Sequence, residues 1–142
     1  MDSLFINIIK KIPSELKNDI YSFLPEIVTL FLNKDYYVTN HPVVRKYIKK
    51  NEYENYIRAM IRQDNHFVFG LLIAENFERW LFFKKYVYKK TMFSNYIYFL
   101  QEYCIINESD KCKQIVKSYL INSGLSKNQH KKNTSMNIRW TN

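Results

Sequence analysis

Hydrophobic positions recur at helical spacing along almost the whole chain. Leu4, Ile8 and Ile9 mark a short first helix closed by Pro13. Leu16, Ile20, Phe23 and Leu24 follow at i, i+4, i+7 and i+8 and predict a second helix ending at Pro25. Ile27, Leu30 and Phe31 form a brief third element, and residues Asn33 to Thr39 read as a polar, Tyr-rich loop. Asn40 can then cap a helix that carries Pro42 in its first turn and runs to Lys50.

The signal strengthens from Asn51, itself an N-cap candidate. Tyr53, Tyr56, Ile57, Met60 and Ile61 make one apolar face. Asp64 is a second cap candidate, followed by Phe67, Phe69, Leu71, Leu72 and Ile73, apolar nearly all round and hence central. Asn76 opens a segment with Phe77, Trp80, Leu81 and Phe83. A break at Lys89 to Thr91 separates it from Tyr96, Phe99, Leu100, Tyr103 and Ile106. Ser109 or Asp110 caps the last helix, whose Cys112, Ile115, Val116, Tyr119 and Leu120 form a clean stripe. Gly124 stands where a C-cap glycine is expected, with Leu125 folding back onto the last turn. Period-2 candidates such as Phe93 to Phe99 fit the 3.6 period better once their neighbours are included, so no strand is expected. The fold class is therefore all-α: seven to eight short helices in a compact bundle or a short solenoid-like stack of hairpins, with a basic C-terminal tail. The segments are 1–50, 51–124 and the tail 125–142, the first two sharing one core.

Composition narrows the function classes. A chain of 142 residues with 46% hydrophobic and 17% aromatic content is the size of one ordinary domain and can build a core without disulfides or metals. Two Gly and three Pro leave almost nothing for phosphate-cradling loops or turn-dense β architectures. The longest apolar stretch, Phe67 to Ala74, falls far short of the roughly 20 residues of a membrane span, so no membrane partner is expected. Met1 to Pro13 lacks the charged n-region and small-residue cleavage site of a secretory signal. An intracellular location follows, with Cys104 and Cys112 as buried, reduced thiols.

Catalytic, metal-binding and cofactor-binding constellations are not expected. His41, His66 and His130 stand far apart and outside any metal-binding spacing, and no P-loop, dinucleotide fingerprint or Gly-x-Ser-x-Gly occurs. Cys104 with His66 is the one thiol–imidazole pairing with any claim, and only geometry can support it. Glu75 and Glu78 flank Arg79 on what reads as a solvated helix face.

The net charge is +9, which bears on partners rather than on fold. Part of it is compositional: 17 Lys, 16 Ile, 15 Asn and 12 Tyr against two Ala are what an A/T-rich coding sequence produces. Two clusters nevertheless concentrate the charge, Arg45, Lys46, Lys49 and Lys50 on one helix, and Lys84, Lys85, Lys89 and Lys90 on or after another. Tyr47, Tyr86 and Tyr88 interleave with them, the mixture of phosphate-neutralising cations and stacking rings that single-stranded nucleic acid uses. The tail adds Lys127, Lys131, Lys132 and Arg139 with no acid, and alone in solution it is expected to be disordered. Ile138 and Trp140, in Asn-Ile-Arg-Trp, give it an apolar anchor. The 24 aromatic residues exceed what one small core needs, so some are expected at interfaces.

One N-terminal pattern stands out. Ile12-Pro13-Ser14-Glu15-Leu16, then Ile20 and Ser22-Phe23-Leu24-Pro25, resembles the opening of an F-box, with its Leu-Pro-x-Glu-Leu, an apolar residue one helical turn on, and an aromatic-Leu ending. The likeness covers Ile12 to about Tyr37. It departs from the family pattern in the short stretch from Pro25 to Asn33-Lys34-Asp35-Tyr36, where Asn33 and Tyr36 or Tyr37 replace the family's Cys and Trp. The resemblance implies a non-enzymatic adaptor, with Ile12, Pro13, Leu16, Ile20, Leu24 and Pro25 at or under the contact with a Skp1-like protein. The same opening followed by Tyr-, Asn- and Lys-rich helices resembles small proteins of giant DNA viruses, which implies action in the host cytoplasm or nucleus, or in the virion. The alternative function is a basic virion or nucleic-acid-associated protein, partnered by a capsid or nucleoprotein component. Candidate basic contacts are then Arg45, Lys46, Lys49, Lys50, Lys84, Lys85, Lys89, Lys90, Lys131, Lys132 and Arg139.

Overall fold

The structure, a computed structural model, describes residues 11–132 and 134–135. The expected first helix around Leu4 to Ile9, and the tail residues Ile138, Arg139 and Trp140, lie outside them. The chain is mostly helical, with a small antiparallel sheet, and divides into two compact units, Met1–Lys50 and Asn51–Asn142.

In the first unit, helix α1 (Ser14–Ser22) starts directly after Pro13, whose carbonyl accepts the Lys17 N–H at 3.1 Å. It closes where Ser22 Oγ donates to Asp19 O and the Phe23 N–H turns to Ile20 O. Pro25 then holds the entry to α2 (Glu26–Leu30), its carbonyl accepting from Val28 and Thr29. The stretch expected as a loop is a helix, α3 (Lys34–Asn40), because Asn33 Oδ1 accepts the N–H groups of Asp35 at 2.8 Å and Tyr36 at 3.3 Å. Only Tyr37 of α3 is buried, so no apolar stripe announced it. The helix expected from Asn40 to Lys50 is shorter: a 3₁₀ turn at His41–Val43 passes into α4 (Val44–Tyr47). Asn40 does not cap it. Its Nδ2 reaches back to Tyr36 O at 3.0 Å. Leu30, Tyr37 and Val44 are the unit's buried hydrophobics among the described residues, and Tyr47 Oη donates to Glu26 across α4 and α2.

The second unit opens with α5 (Tyr53–Arg62), which buries Ile57 and Ile61; Glu52, not Asn51, holds its N-cap position. The next helix, α6 (His66–Phe82), runs unbroken through Asn76 and joins two segments that the sequence separated. Its cap is Asn65, whose Oδ1 accepts the Val68 N–H. Asn76 is tolerated inside because its Nδ2 donates to Leu72 O while its Oδ1 accepts from Arg79, so both ends of its amide are paired. The helical fold class holds, and two short strands that the sequence did not announce add a small sheet to it. β1 (Lys84–Tyr88) pairs antiparallel with β2 (Thr91–Asn95), Tyr86 opposite Phe93 and Tyr88 opposite Thr91. Tyr86 and Phe93 point inward, and Lys89 takes the first position of the two-residue loop with φ 53°, a place usually given to glycine.

Helix α7 (Tyr96–Ile106), capped by Asn95 Oδ1 on the Tyr98 N–H, is the centre of the unit. It packs on α5, α6 and both long strands. Phe99 is 1% exposed and has the rings of Tyr86, Tyr88, Phe93, Tyr96 and Tyr103 with centroids 4.7–5.5 Å from its own. Such a ring cluster combines large apolar burial with favourable tilted and edge-on geometry. The stripe of α8 (Asp110–Asn122) buries Cys112, Val116 and Leu120. It ends as the sequence implies, with Gly124 at φ 67° and the Leu125 N–H bonded to Leu120 O at 2.8 Å, the Schellman arrangement.

The expected disordered arm is, over its described part, tied to this unit. A 3₁₀ turn at Gln129–Lys132 lies against α7 and β2, and β3 (Thr134–Ser135) pairs with β2, giving sheet order β1-β2-β3. The fully buried Gln101 donates its Nε2 to Lys127 O at 2.7 Å. A buried amide N–H needs such a partner and the tail backbone supplies it, while the Gln101 Oε1 has none among the described residues.

Candidate functional site

The F-box-like residues fall on the start and end of α1. An amphipathic helix in a folded unit normally turns its apolar stripe inward. Here Leu16 is 54% exposed and Ile20 47%, one turn apart on the same face, and Phe23 just beyond is 86% exposed. Ile12 and Leu24 are half-buried, and Pro13 and Pro25 are exposed at the two ends. The unit also exposes Val28, Phe31, Leu32, Tyr36 and Val38. Its surface thus carries more large apolar side chains than its interior does among the described residues. Leu16, Ile20 and Phe23 follow one another along a single helix and its end, so this exposure is not the scattered kind that most surfaces carry.

The basic candidates separate by unit. Arg45, Lys46, Lys49 and Lys50 are exposed in the first, with Tyr47 beside them at 54% exposure. Lys84, Lys85, Lys89 and Lys90 are exposed on the hairpin of the second, and Lys131 and Lys132 are exposed just ahead of β3. Of the tyrosines read as stacking partners, Tyr86 is core, 8% exposed with its hydroxyl on Glu54 at 2.7 Å, while Tyr88 is half-buried. Tyr88 has the Arg58 guanidinium 5.2 Å and the Lys89 ammonium 5.6 Å from its ring centroid. Arg58 also bridges to Glu54 at 3.6 Å.

The thiol–imidazole pairing finds no support in geometry. His66 lies exposed at the start of α6, lining a shallow groove with Lys111 and Tyr119, whereas Cys104 is fully buried in α7. Burial pushes the Cys104 thiol up to about 12, the opposite of what a nucleophile needs. Burial also raises Cys112, and a hydrogen bond to Asp64 adds to that. Both cysteines are free. Among the described residues no group of three His, Cys, Asp or Glu could hold a metal ion, and no helix is long and apolar enough to cross a membrane.

Two features escaped the sequence. Asp64, placed by the sequence as the cap of the helix that follows it, sits at φ 46° and caps a different one. Its carboxylate accepts the N–H groups of Cys112 at 2.9 Å and Lys111 at 3.2 Å, at the start of α8. Ser109, at the N-cap position, instead donates to Ile61 O at 2.5 Å. The second is a cavity of about 300 Å³ at the hairpin turn, walled by Tyr88, Phe93, Phe99 and Tyr103 with Lys89 and Glu102 at its edge. Alternation of Tyr and Phe with Lys around residues 84–93 was its only trace in the sequence. Compared with protein-family models, curated proteins and solved structures, the chain matches none.

Proposed function

We propose that the chain is a non-enzymatic interaction module whose first unit docks, through the open face of α1, onto an adaptor of the Skp1-like class and so recruits a partner to a larger assembly. The observation that carries this reading is the outward turn of Leu16 and Ile20, the positions an F-box-like opening would use, with Phe23 beside them. Burying such a face against a partner contributes roughly 25 cal/mol per Å² of apolar area, enough for three large side chains to dominate an interface.

The contact is apolar, so it should persist at about 0.5 M salt, where exposed charge pairs are screened within a few ångströms. The test is a pull-down of the tagged, nuclease-treated full chain with a purified Skp1-like adaptor, washed at that salt. Retention of the adaptor by the native chain and its loss with Leu16→Asp supports the proposal. Circular dichroism of the variant separates a lost contact from a lost fold, because Leu16 is more than half exposed and its replacement leaves the core intact. An adaptor that fails to bind the native chain overturns the reading.

A further inference from the structure

The second unit brings together two things that lie apart in the sequence. Lysines 84, 85, 89 and 90 belong to the hairpin, and β3 pairs with β2 on the side away from β1, so Lys131 and Lys132 flank the same small sheet. No Asp or Glu occurs between Lys84 and Gln101, or anywhere from Lys111 to Asn142. The sheet is therefore edged by six exposed cations. At its turn end opens the aromatic cavity of about 300 Å³, the lower end of the size range of small-molecule pockets.

We propose that this hairpin is a binding site for single-stranded nucleic acid, in which one base enters the pocket and the flanking phosphates run over the lysines of the turn. The proposal is independent of the adaptor reading, which concerns the other unit. Its chemistry follows from the lining. Tyr88, half-buried at the mouth, offers ring surface for stacking, and the buried rings of Phe93, Phe99 and Tyr103 close the apolar floor. Asn107, whose Nδ2 donates to Tyr103 O, keeps its amide oxygen as an acceptor for the amino or imino N–H of a base edge, and Glu102 is the one acid of the lining. Lys89 already holds its ammonium over the Tyr88 ring at the mouth, where a phosphate would meet it. A duplex keeps its bases stacked and could not fill such a pocket, whereas a single strand presents them freely. An anionic membrane would be drawn to the lysines by charge alone, and such binding would not depend on the ring of Tyr88.

The test is fluorescence anisotropy of the full chain with a labelled twenty-nucleotide oligodeoxythymidine, at about 50 and 200 mM salt. Single strands lose about 0.7 in the slope of log K against log salt for each phosphate neutralised, so four to six lysines predict a slope of about −3 to −4. Tyr88→Leu, which keeps the apolar packing and removes the ring, should weaken binding about 5- to 100-fold. Lys89→Ala with Lys90→Ala should flatten the slope by about 1.4, while Lys46→Ala with Lys49→Ala in the first unit should change nothing. If Tyr88→Leu disturbs the fold by circular dichroism, exposed positions serve instead. Ile106→Glu, at the rim of the pocket, should weaken binding more than Ile105→Glu, which adds the same charge next to it but outside the lining. The proposal is overturned by no anisotropy change at 50 mM salt, or by binding that depends on the lysines but not on Tyr88 or Ile106. It is also overturned if vesicles of phosphatidylcholine and phosphatidylserine compete fully with the oligonucleotide.

Discussion

Removing the carboxylate of Asp64 should destabilise the second unit far more than a partly exposed turn residue ordinarily would. The first N–H groups of a helix have no partner inside it. At α8 those of Lys111 and Cys112 are met by a side chain 47 and 48 residues earlier in sequence, at 3.2 and 2.9 Å. Loss of a helix cap costs about 1 kcal/mol and up to about 2. The carboxylate also faces the positive end of the helix dipole, for about another 0.3–1 kcal/mol. An alanine would in addition have to hold φ 46°, which costs an ordinary side chain about 1 kcal/mol and an aspartate less. Asp64→Ala should therefore cost about 2–4 kcal/mol. Asp64→Asn, which keeps an oxygen and tolerates the backbone, should cost about 1.

The pH dependence has a definite sign. Burial alone would raise this carboxyl, but the Cys112 and Lys111 N–H groups outweigh it and hold the pKa below the ordinary aspartate value of 3.8. A group whose pKa is lowered on folding stabilises the fold at pH above its unfolded value and loses that contribution as pH falls through the folded one. Urea denaturation at 25 °C, followed by circular dichroism and by the fluorescence to which the buried Trp80 contributes, measures it. The gap between native chain and Asp64→Asn should be full at pH 6 and shrink below about pH 4. A cost below about 0.5 kcal/mol for Asp64→Ala, or a gap that is the same at pH 6 and pH 2.5, would refute the reasoning.

Two further outcomes follow from burial. Cys104 and Cys112 should resist a thiol-specific reagent such as dithionitrobenzoate at pH 8 in the native chain and react promptly in urea, because burial holds both thiols protonated. Deleting Ser126 to Asn142 should lower the melting temperature, since it removes the Lys127 carbonyl bonded to Gln101, worth about 0.5–1.5 kcal/mol, together with the turn and strand packed on α7 and β2.

How much of this was legible in the sequence depended on how local the cause was. Gly124 and Leu125 announced the end of α8 because a Schellman motif is written within six residues. The apolar run around Phe69, Leu72 and Ile73 announced a central helix because its burial is nearly all-round. The hairpin was not legible. Its strands are five residues each, its turn is Lys89-Lys90 rather than a glycine pair, and the helix that follows continues the run of aromatics without a break. Helix α3 was hidden for a different reason, having one buried residue and so no period to detect. Asp64 was legible as a cap but not as the cap of α8, since that assignment depends on a contact across 48 residues.

The stripe on α1 sets the limit for the functional site. Leu16, Ile20 and Leu24 have a spacing that ordinarily means burial, and periodicity alone cannot say whether a stripe faces a core or a partner. The structure leaves Leu16 and Ile20 open, and the difference between the two units gives that exposure its weight. The second unit closes its aromatic residues around Phe99 and ties down the tail through Gln101, so its stability comes from within. The first buries Leu30, Tyr37 and Val44 among its described residues while Leu16, Ile20, Phe23 and Phe31 face out. A unit built that way gains stability from whatever covers it, by RT ln(1 + [L]/Kd), about 2.7 kcal/mol at a hundredfold excess over Kd. On the proposed adaptor contact, docking and folding of the first unit would therefore be coupled. The second unit, self-sufficient in its core, is left to present the hairpin.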